Sequence, residues 1–255
     1  MKLEFQNVSA SYGRRKVLED VTFSVEPGSI TALVGRNGAG KSTAIDCLMG
    51  QKTDYAGRIL LSGENAGEMD RSRRACSIAC LPQNLPRPHV TVSELVSFGR
   101  APYLPLSGRM AKTDRDKVKW AMEAVELSDR AEDFVDTLSG GQRKKAFFAM
   151  VLAQDTPLVV LDEPTAHLDA VSRFGFLSLL ETMRRETGKT FLVVMHELTD
   201  VLRCADRIVA IQEGKIVFSG TPEACLAGRI PETCLGITVN GDRQHGFAAL
   251  PVSNE

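Results

Sequence analysis

No stretch of this 255-residue sequence approaches the roughly 20 apolar residues that a membrane-crossing helix needs. Its start, Met1 to Val8, lacks the apolar core of a secretory signal. A membrane role is therefore expected only through a partner. Neither sign of charge is in excess. Lys plus Arg number 31 against 32 Asp plus Glu, a formal net charge of −1, which removes the global electrostatic case for a nucleic-acid partner. The six cysteines, Cys47, Cys76, Cys80, Cys204, Cys225 and Cys234, never take Cys-x-x-Cys spacing. Neither a zinc site nor a disulfide framework is indicated, and reduced thiols are expected, although Cys76 and Cys80 are spaced to share a helix face. Internal repeats and low-complexity tracts are also missing.

Apolar residues make up 43% and charged residues 25%, the usage of a globular chain able to bury a large core as one compact unit. Leu3, Phe5 and Val8, then Val21, Phe23 and Val25, read as short strands, and Pro27-Gly28 as the turn before a third. That third run, Ser29 to Val34, is almost continuously apolar, as in a strand covered on both faces of a parallel sheet. Lys41 to Met49 reads as a helix closed by Gly50, and Gly57 to Gly63 as a further strand. Arg71 to Arg74 reads as a solvated basic cluster, and five prolines between Pro82 and Pro105 as a joint without regular structure. Helical periodicity follows over Asp114–Leu127 and Ser139–Ala153. Leu158–Leu161 is a second buried strand, Ala170–Glu186 a helix and Phe191–Met195 a third buried strand. Arg207–Ile211 and Ile216–Phe218 read as a hairpin, and beyond Pro222 the pattern fades. Alternating strands and helices predict parallel pairing, with ligands at the strand carboxyl ends.

Three motifs carry chemistry. Gly35-Arg36-Asn37-Gly38-Ala39-Gly40-Lys41-Ser42 fits the P-loop pattern between a strand and a helix. Its backbone N–H groups and helix start suit phosphates, Lys41 reaches the terminal ones and Ser42 is placed to coordinate Mg2+. Asp162-Glu163 ends the run Leu158–Leu161, where one carboxylate can hold Mg2+ through water and the other polarise a water; by themselves the pair could equally cap the next helix. Leu138-Ser139-Gly140-Gly141-Gln142 opens a helix with a hydroxyl and two glycines, either a second phosphate cradle or a plain serine cap.

In this combination the chain resembles the nucleotide-binding subunits of ABC transporters over about Leu3 to Glu223, with Walker A at Gly35–Ser42, Walker B ending at Asp162-Glu163 and the signature at Leu138–Gln142. The resemblance implies an α/β P-loop NTPase of RecA-like type. Its core is a mostly parallel sheet, with an N-terminal antiparallel β subdomain, a helical subdomain at about 85–156 and a tail from about 222 to 255. It also implies that Gly35 to Ser42 and Thr43 bind ATP, that Tyr12 stacks on adenine, and that Ser139, Gly140, Gly141 and Gln142 meet the nucleotide of a second copy. Gln83 after Leu81-Pro82 resembles the glutamine that senses Mg2+ and the attacking water, Asp169 the D-loop aspartate, and His196 the switch histidine at the γ-phosphate. On the same basis Glu163, His196, Lys41 and Gln83 are the catalytic set, and Ser42, Gln83 and Asp162 the Mg2+ set. His89, His167 and His245 are assigned no role, His167 being at most a contact across the dimer. The pattern is departed from at Arg36 (commonly Pro), at His167 within the D-loop, and at Glu197 (commonly Asp).

The run Gly99-Arg100-Ala101-Pro102-Tyr103-Leu104 through Gly108-Arg109 and the run Ala149 to Pro157 look like those of importers of ferric siderophores, ferric dicitrate, haem or cobalamin. That resemblance implies an ATPase homodimer around two ATP molecules. It would work at the cytoplasmic side of the inner membrane with permease subunits, an external substrate-binding protein and no nucleic acid. Leu85, Val90, Val92, Leu95, Val96 and Phe98 either line a groove for a permease helix or belong to the core. A DNA-repair or translation ATPase of the same family would need a coiled-coil insertion or tandem cassettes, and a P-loop kinase has no use for Leu138–Gln142.

Overall fold

The computed structural model describes residues 1–105, 107–242 and 246–251; His245 and the last four residues of the tail lie outside them. The chain forms two compact units, Met1–Met69 with Gly188–Glu255, and Asp70–Thr187. In chain order the first holds β1 (Leu3–Tyr12), β2 (Arg15–Val25), β3 (Ile30–Val34), α1 (Lys41–Met49), β4 (Tyr55–Leu61) and β5 (Glu64–Asn65). The second holds α2 (Arg71–Ser77), β6 (Ile78–Leu81), α3 (Val92–Phe98), α4 (Lys112–Ala124), α5 (Gly140–Ala153), β7 (Leu158–Asp162) and α6 (Ala170–Thr187). The first unit then resumes with β8 (Thr190–Val194), α7 (Leu198–Cys204), β9 (Arg207–Gln212), β10 (Lys215–Gly220), α8 (Pro222–Ala227), β11 (Ile237–Asp242) and β12 (Gly246–Pro251).

In the first unit, β2-β1-β4-β5 make an antiparallel sheet. Along β1 Leu3 and Phe5, then Val8 and Ala10 beyond a register shift, are buried, and Phe5 stacks on its cross-strand partner Phe23 with ring centroids 4.5 Å apart. Every residue of β3 is buried, because β3 lies between β8 and β9 and runs parallel to both. The hairpin β9–β10 turns at Glu213 and Gly214, both at positive φ as a tight twisted turn requires. In the second unit β6 pairs parallel with β7, and α3, α4 and α5 pack on one another.

Arg71 and Arg73 are exposed, as a solvated basic cluster should be, and the run opens α2, capped by Asp70, whose Oδ1 accepts the Arg73 N–H at 2.8 Å. Other expectations need correction. Cys76 lies in α2 and Cys80 in β6, so they share no helix face. The proline-rich stretch contains α3, started by a reciprocal capping box: Thr91 Oγ1 accepts the Glu94 N–H, and the Glu94 carboxylate accepts the Thr91 N–H. Val92, Leu95 and Val96 are buried in the core, while Phe98 is 56% exposed. The described residues of the tail include α8 and the paired strands β11 and β12. Among the described residues no helix is long and apolar enough to cross a membrane.

Candidate functional site

The carboxyl ends of β3 and β8 lie side by side, since Leu33 pairs with Val194. The chain leaves β3 into Gly35–Gly40, and His196 stands exposed two residues beyond β8. Topology alone therefore brings the glycine loop and His196 to one edge of the first unit. Gly35 tolerates no side chain because a Cβ would run into the Ile211 carbonyl oxygen. Gly40 sits at φ 111°, and a Cβ there would meet Leu18 Cδ2 at 2.8 Å and Val17 O at 2.9 Å.

No side chain caps α1, whose start follows the left-handed Gly40. Lys41 is 6% exposed and folds its ammonium back onto the loop, donating to Gly35 O at 2.8 Å and Arg36 O at 3.1 Å. Arg36, Asn37, Gly38 and Ser42 are exposed, while Ala39 and Thr43 are buried beneath. The cradle fits polyphosphate: a helix start with no side-chain cap, two cations, Arg36 and Lys41, and no carboxylate within the loop.

Tyr12 closes β1, half exposed, with Lys52 Nζ 4.4 Å from its ring centroid and its hydroxyl 3.5 Å from Asp46 Oδ2. Lys52 is itself fixed by Ser11 O and Asp54 Oδ1, both at 2.7 Å. One face of the ring is thus occupied by a cation, beside a polar cavity of about 430 Å³.

In the second unit Asp162 ends β7 and Glu163 follows at φ 49°, a left-handed position that is costly for a residue with a Cβ. Gln83, which follows β6 on the neighbouring parallel strand, donates from Nε2 to Glu163 Oε2 at 2.6 Å. These two residues are brought together although 80 positions separate them.

The helix α5 opens with Ser139 and Gln142 in a reciprocal capping box, Ser139 Oγ taking the Gln142 N–H at 3.2 Å and Gln142 Oε1 the Ser139 N–H at 3.1 Å. Gly140 faces open space, and Gly141 lies against Ser172. Gly141 borders a cavity of about 380 Å³ lined in part by Ser139, Gln142, Lys145 and Ser172. Asp169 caps α6, accepting the Ser172 N–H at 2.9 Å and hydroxyl at 2.7 Å, which hold its carboxyl below the usual range.

No cluster of three or more His, Cys, Asp or Glu fit to hold a metal occurs among the described residues.

The ABC transporter family model matches residues 18–166. The chain is 39% identical over 237 residues to the ferric enterobactin transport ATP-binding protein of Escherichia coli (strain K12), covering 92% of this chain and 88% of that one. The chain belongs to the ABC transporter ATP-binding family. This ABC ATPase is also 38% identical to the iron(3+)-hydroxamate import ATP-binding protein of Bacillus subtilis (strain 168), over 86% of this chain and 82% of the relative. Among solved structures, the cbiO1 subunit of a Clostridium perfringens ABC transporter complex superposes with a TM-score of 0.80 at 25% identity, covering 90% of this chain and 94% of that one. The fold is that of P-loop ABC ATPases, a family that binds ATP and hydrolyses it to power transport.

Sequence reasoning missed two charged residues of this ABC ATPase. Arg100 is buried, its Nε 3.0 Å from Asp114 Oδ1 and its Nη1 2.8 Å from Ala153 O, and its guanidinium lies 4.0 Å over the Tyr103 ring. The run Gly99–Tyr103 is therefore a structural joint: a Cβ at Gly99 would strike the Met150 carbonyl, and Arg100 closes the end of α5. Lys144, one turn into α5, is 6% exposed, and burial pushes its ammonium down to about 8. Its signal in the sequence was a lysine on the apolar side of a helix, between Gly141 and Ala146.

Proposed function

We propose that this ABC ATPase energises the import of a ferric chelate of siderophore type. It would work as a homodimer around two ATP molecules, on the cytoplasmic side of the inner membrane, with a membrane-spanning permease that an external binding protein supplies. The observation that carries the reading is the identity of 39% across 92% of the chain to a ferric enterobactin transport ATP-binding protein.

In this reading ATP binds with its phosphates on the N–H groups of Gly35–Thr43, and the Lys41 ammonium exchanges the carbonyls of Gly35 and Arg36 for the terminal phosphates. Tyr12 stacks on the adenine with the face that Lys52 leaves free. Ser42, Gln83 and Asp162 would hold Mg2+, whose charge would neutralise the phosphate oxygens. Glu163 orients and deprotonates the attacking water. His196 and Lys41 stabilise the charge that spreads over the γ-phosphoryl oxygens in the transition state. Ser139 to Gln142 and Asp169 meet the nucleotide of the second copy. Only ATP bridges both cradles, so hydrolysis favours opening.

Two measurements test the reading. Glu163→Gln should lower ATP turnover by about two orders of magnitude or more, the usual range for a general base, and trap an ATP-dependent dimer on size exclusion. Cells carrying this variant in place of wild type should lose uptake of radio-iron presented as a siderophore chelate. Full hydrolysis by the variant refutes the assigned role of Glu163, and undiminished iron uptake refutes the cargo.

A further inference from the structure

Glu163 begins a tight turn, Glu163-Pro164-Thr165-Ala166, closed by the Ala166 N–H on Glu163 O at 3.1 Å. Lys144 reaches both ends of that turn: its Nζ lies 2.9 Å from Ala166 O and 3.4 Å from Glu163 O. A buried ammonium needs partners, and here they are two backbone carbonyls of one turn. The carboxylate side chain of Glu163 is meanwhile held by Gln83. Backbone and side chain of this residue, placed at positive φ, are thus held from two different elements.

We propose that Lys144 is a positioning residue for hydrolysis, tying the turn that carries Glu163 to the helix that presents Ser139–Gln142. The inference rests on Glu163 being the catalytic carboxylate. Lys144 touches neither of the predicted phosphate cradles; it fixes where the Glu163 backbone stands, and through it the aim of the carboxylate. A base displaced by about 1 Å from its water loses on the order of 100-fold in rate, whereas binding of the nucleotide is left alone. The same helix bears the signature at its first turn, so engagement of a second copy's nucleotide is relayed to Glu163 through one side chain.

The test uses the purified full chain with ATP and Mg2+. Lys144→Met keeps the length and removes the donor; it should lower kcat at least tenfold while KM for ATP stays within about twofold of wild type. Lys144→Gln, which retains an N–H donor without the charge, should give an intermediate kcat with the same KM, and it carries the decision alone should Lys144→Met fail to fold. Added to Glu163→Gln, Lys144→Met should change the residual rate less than twofold, because the two act as one unit. Wild-type kcat in Lys144→Gln, a loss carried by KM, or full additivity with Glu163→Gln overturns the proposal. An active Glu163→Gln enzyme would instead overturn the assignment of Glu163.

Discussion

Replacing Arg100 by Met tests how the Gly99–Tyr103 run works. Arg100 and Asp114 are 8% and 6% exposed, and their charges meet at 3.0 Å. The variant leaves the Asp114 carboxylate buried with the Ala111 N–H, at 2.9 Å, and strips Ala153 O of its donor at the end of α5. Breaking one side of a buried ion pair costs about 3–5 kcal/mol, much of it for the charge left behind. At about 2–4 °C per kcal/mol for a chain of this size, the melting temperature should fall by roughly 6–20 °C. The single tryptophan, Trp120, lies in α4 with Asp114, so its fluorescence follows the unit in which the pair sits. Arg100→Met with Asp114→Asn should recover most of the loss, because the amide oxygen still accepts from Ala111 and no charge remains. A fall of less than about 2 °C in the single variant, or no recovery in the double, refutes the reasoning. Acid gives a second check. The Ala111 N–H and the Arg100 guanidinium hold the Asp114 carboxyl below its ordinary value, so its contribution is present above the unfolded carboxylate value, about 3.9, and is lost as pH falls through the folded one.

Gly40→Ala should abolish binding of a fluorescent ATP analogue, since it sets a Cβ at φ 111° against Val17 O and Leu18, and a variant that binds normally would contradict the close approach. Ser139→Ala removes one half of the capping box of α5, and the chain should lose about 0.5–2 kcal/mol in thermal unfolding; no measurable loss would deny the cap. Lys144 is pushed down to about 8, while an unfolded lysine keeps its proton to about 10.4, so between these values the unfolded chain binds more protons and wild-type stability should rise with pH relative to Lys144→Met. Urea midpoints of the two proteins at pH 7.5 and 9.5 measure the difference, and a constant gap refutes it.

The features legible in the sequence are those in which neighbouring residues settle the backbone. The continuous apolar runs at Ile30–Val34, Leu158–Leu161 and Phe191–Val194 are strands buried on both faces, and Gly35–Ser42 and Ser139–Gln142 open helices at the residues where their glycines and hydroxyl indicate. The helix α3 was hidden because prolines on both sides outweighed a Thr91/Glu94 box only three residues apart. The tail was hidden for another reason: the alternation of Ile237 to Asn240 is only four residues long, and its partner strand β12 follows only after Gly241 and Asp242.

Chemistry divides in the same way. The residue types of the candidate site, a glycine loop with Lys41, paired carboxylates at a strand end and a serine-capped signature, are stated by short stretches of sequence. Tertiary structure alone decided that Gln83 holds Glu163, that Lys144 holds the turn behind it and that Arg100 seals α5 against Asp114. These contacts span 14 to 80 positions, and no local preference encodes them. Those of Lys144 and Arg100 exist because burying the apolar faces of α5 and its neighbours carries these charged groups inward, where an unpartnered group costs more than the constraint of pairing it; the exposed Gln83–Glu163 contact follows from the parallel pairing of β6 with β7.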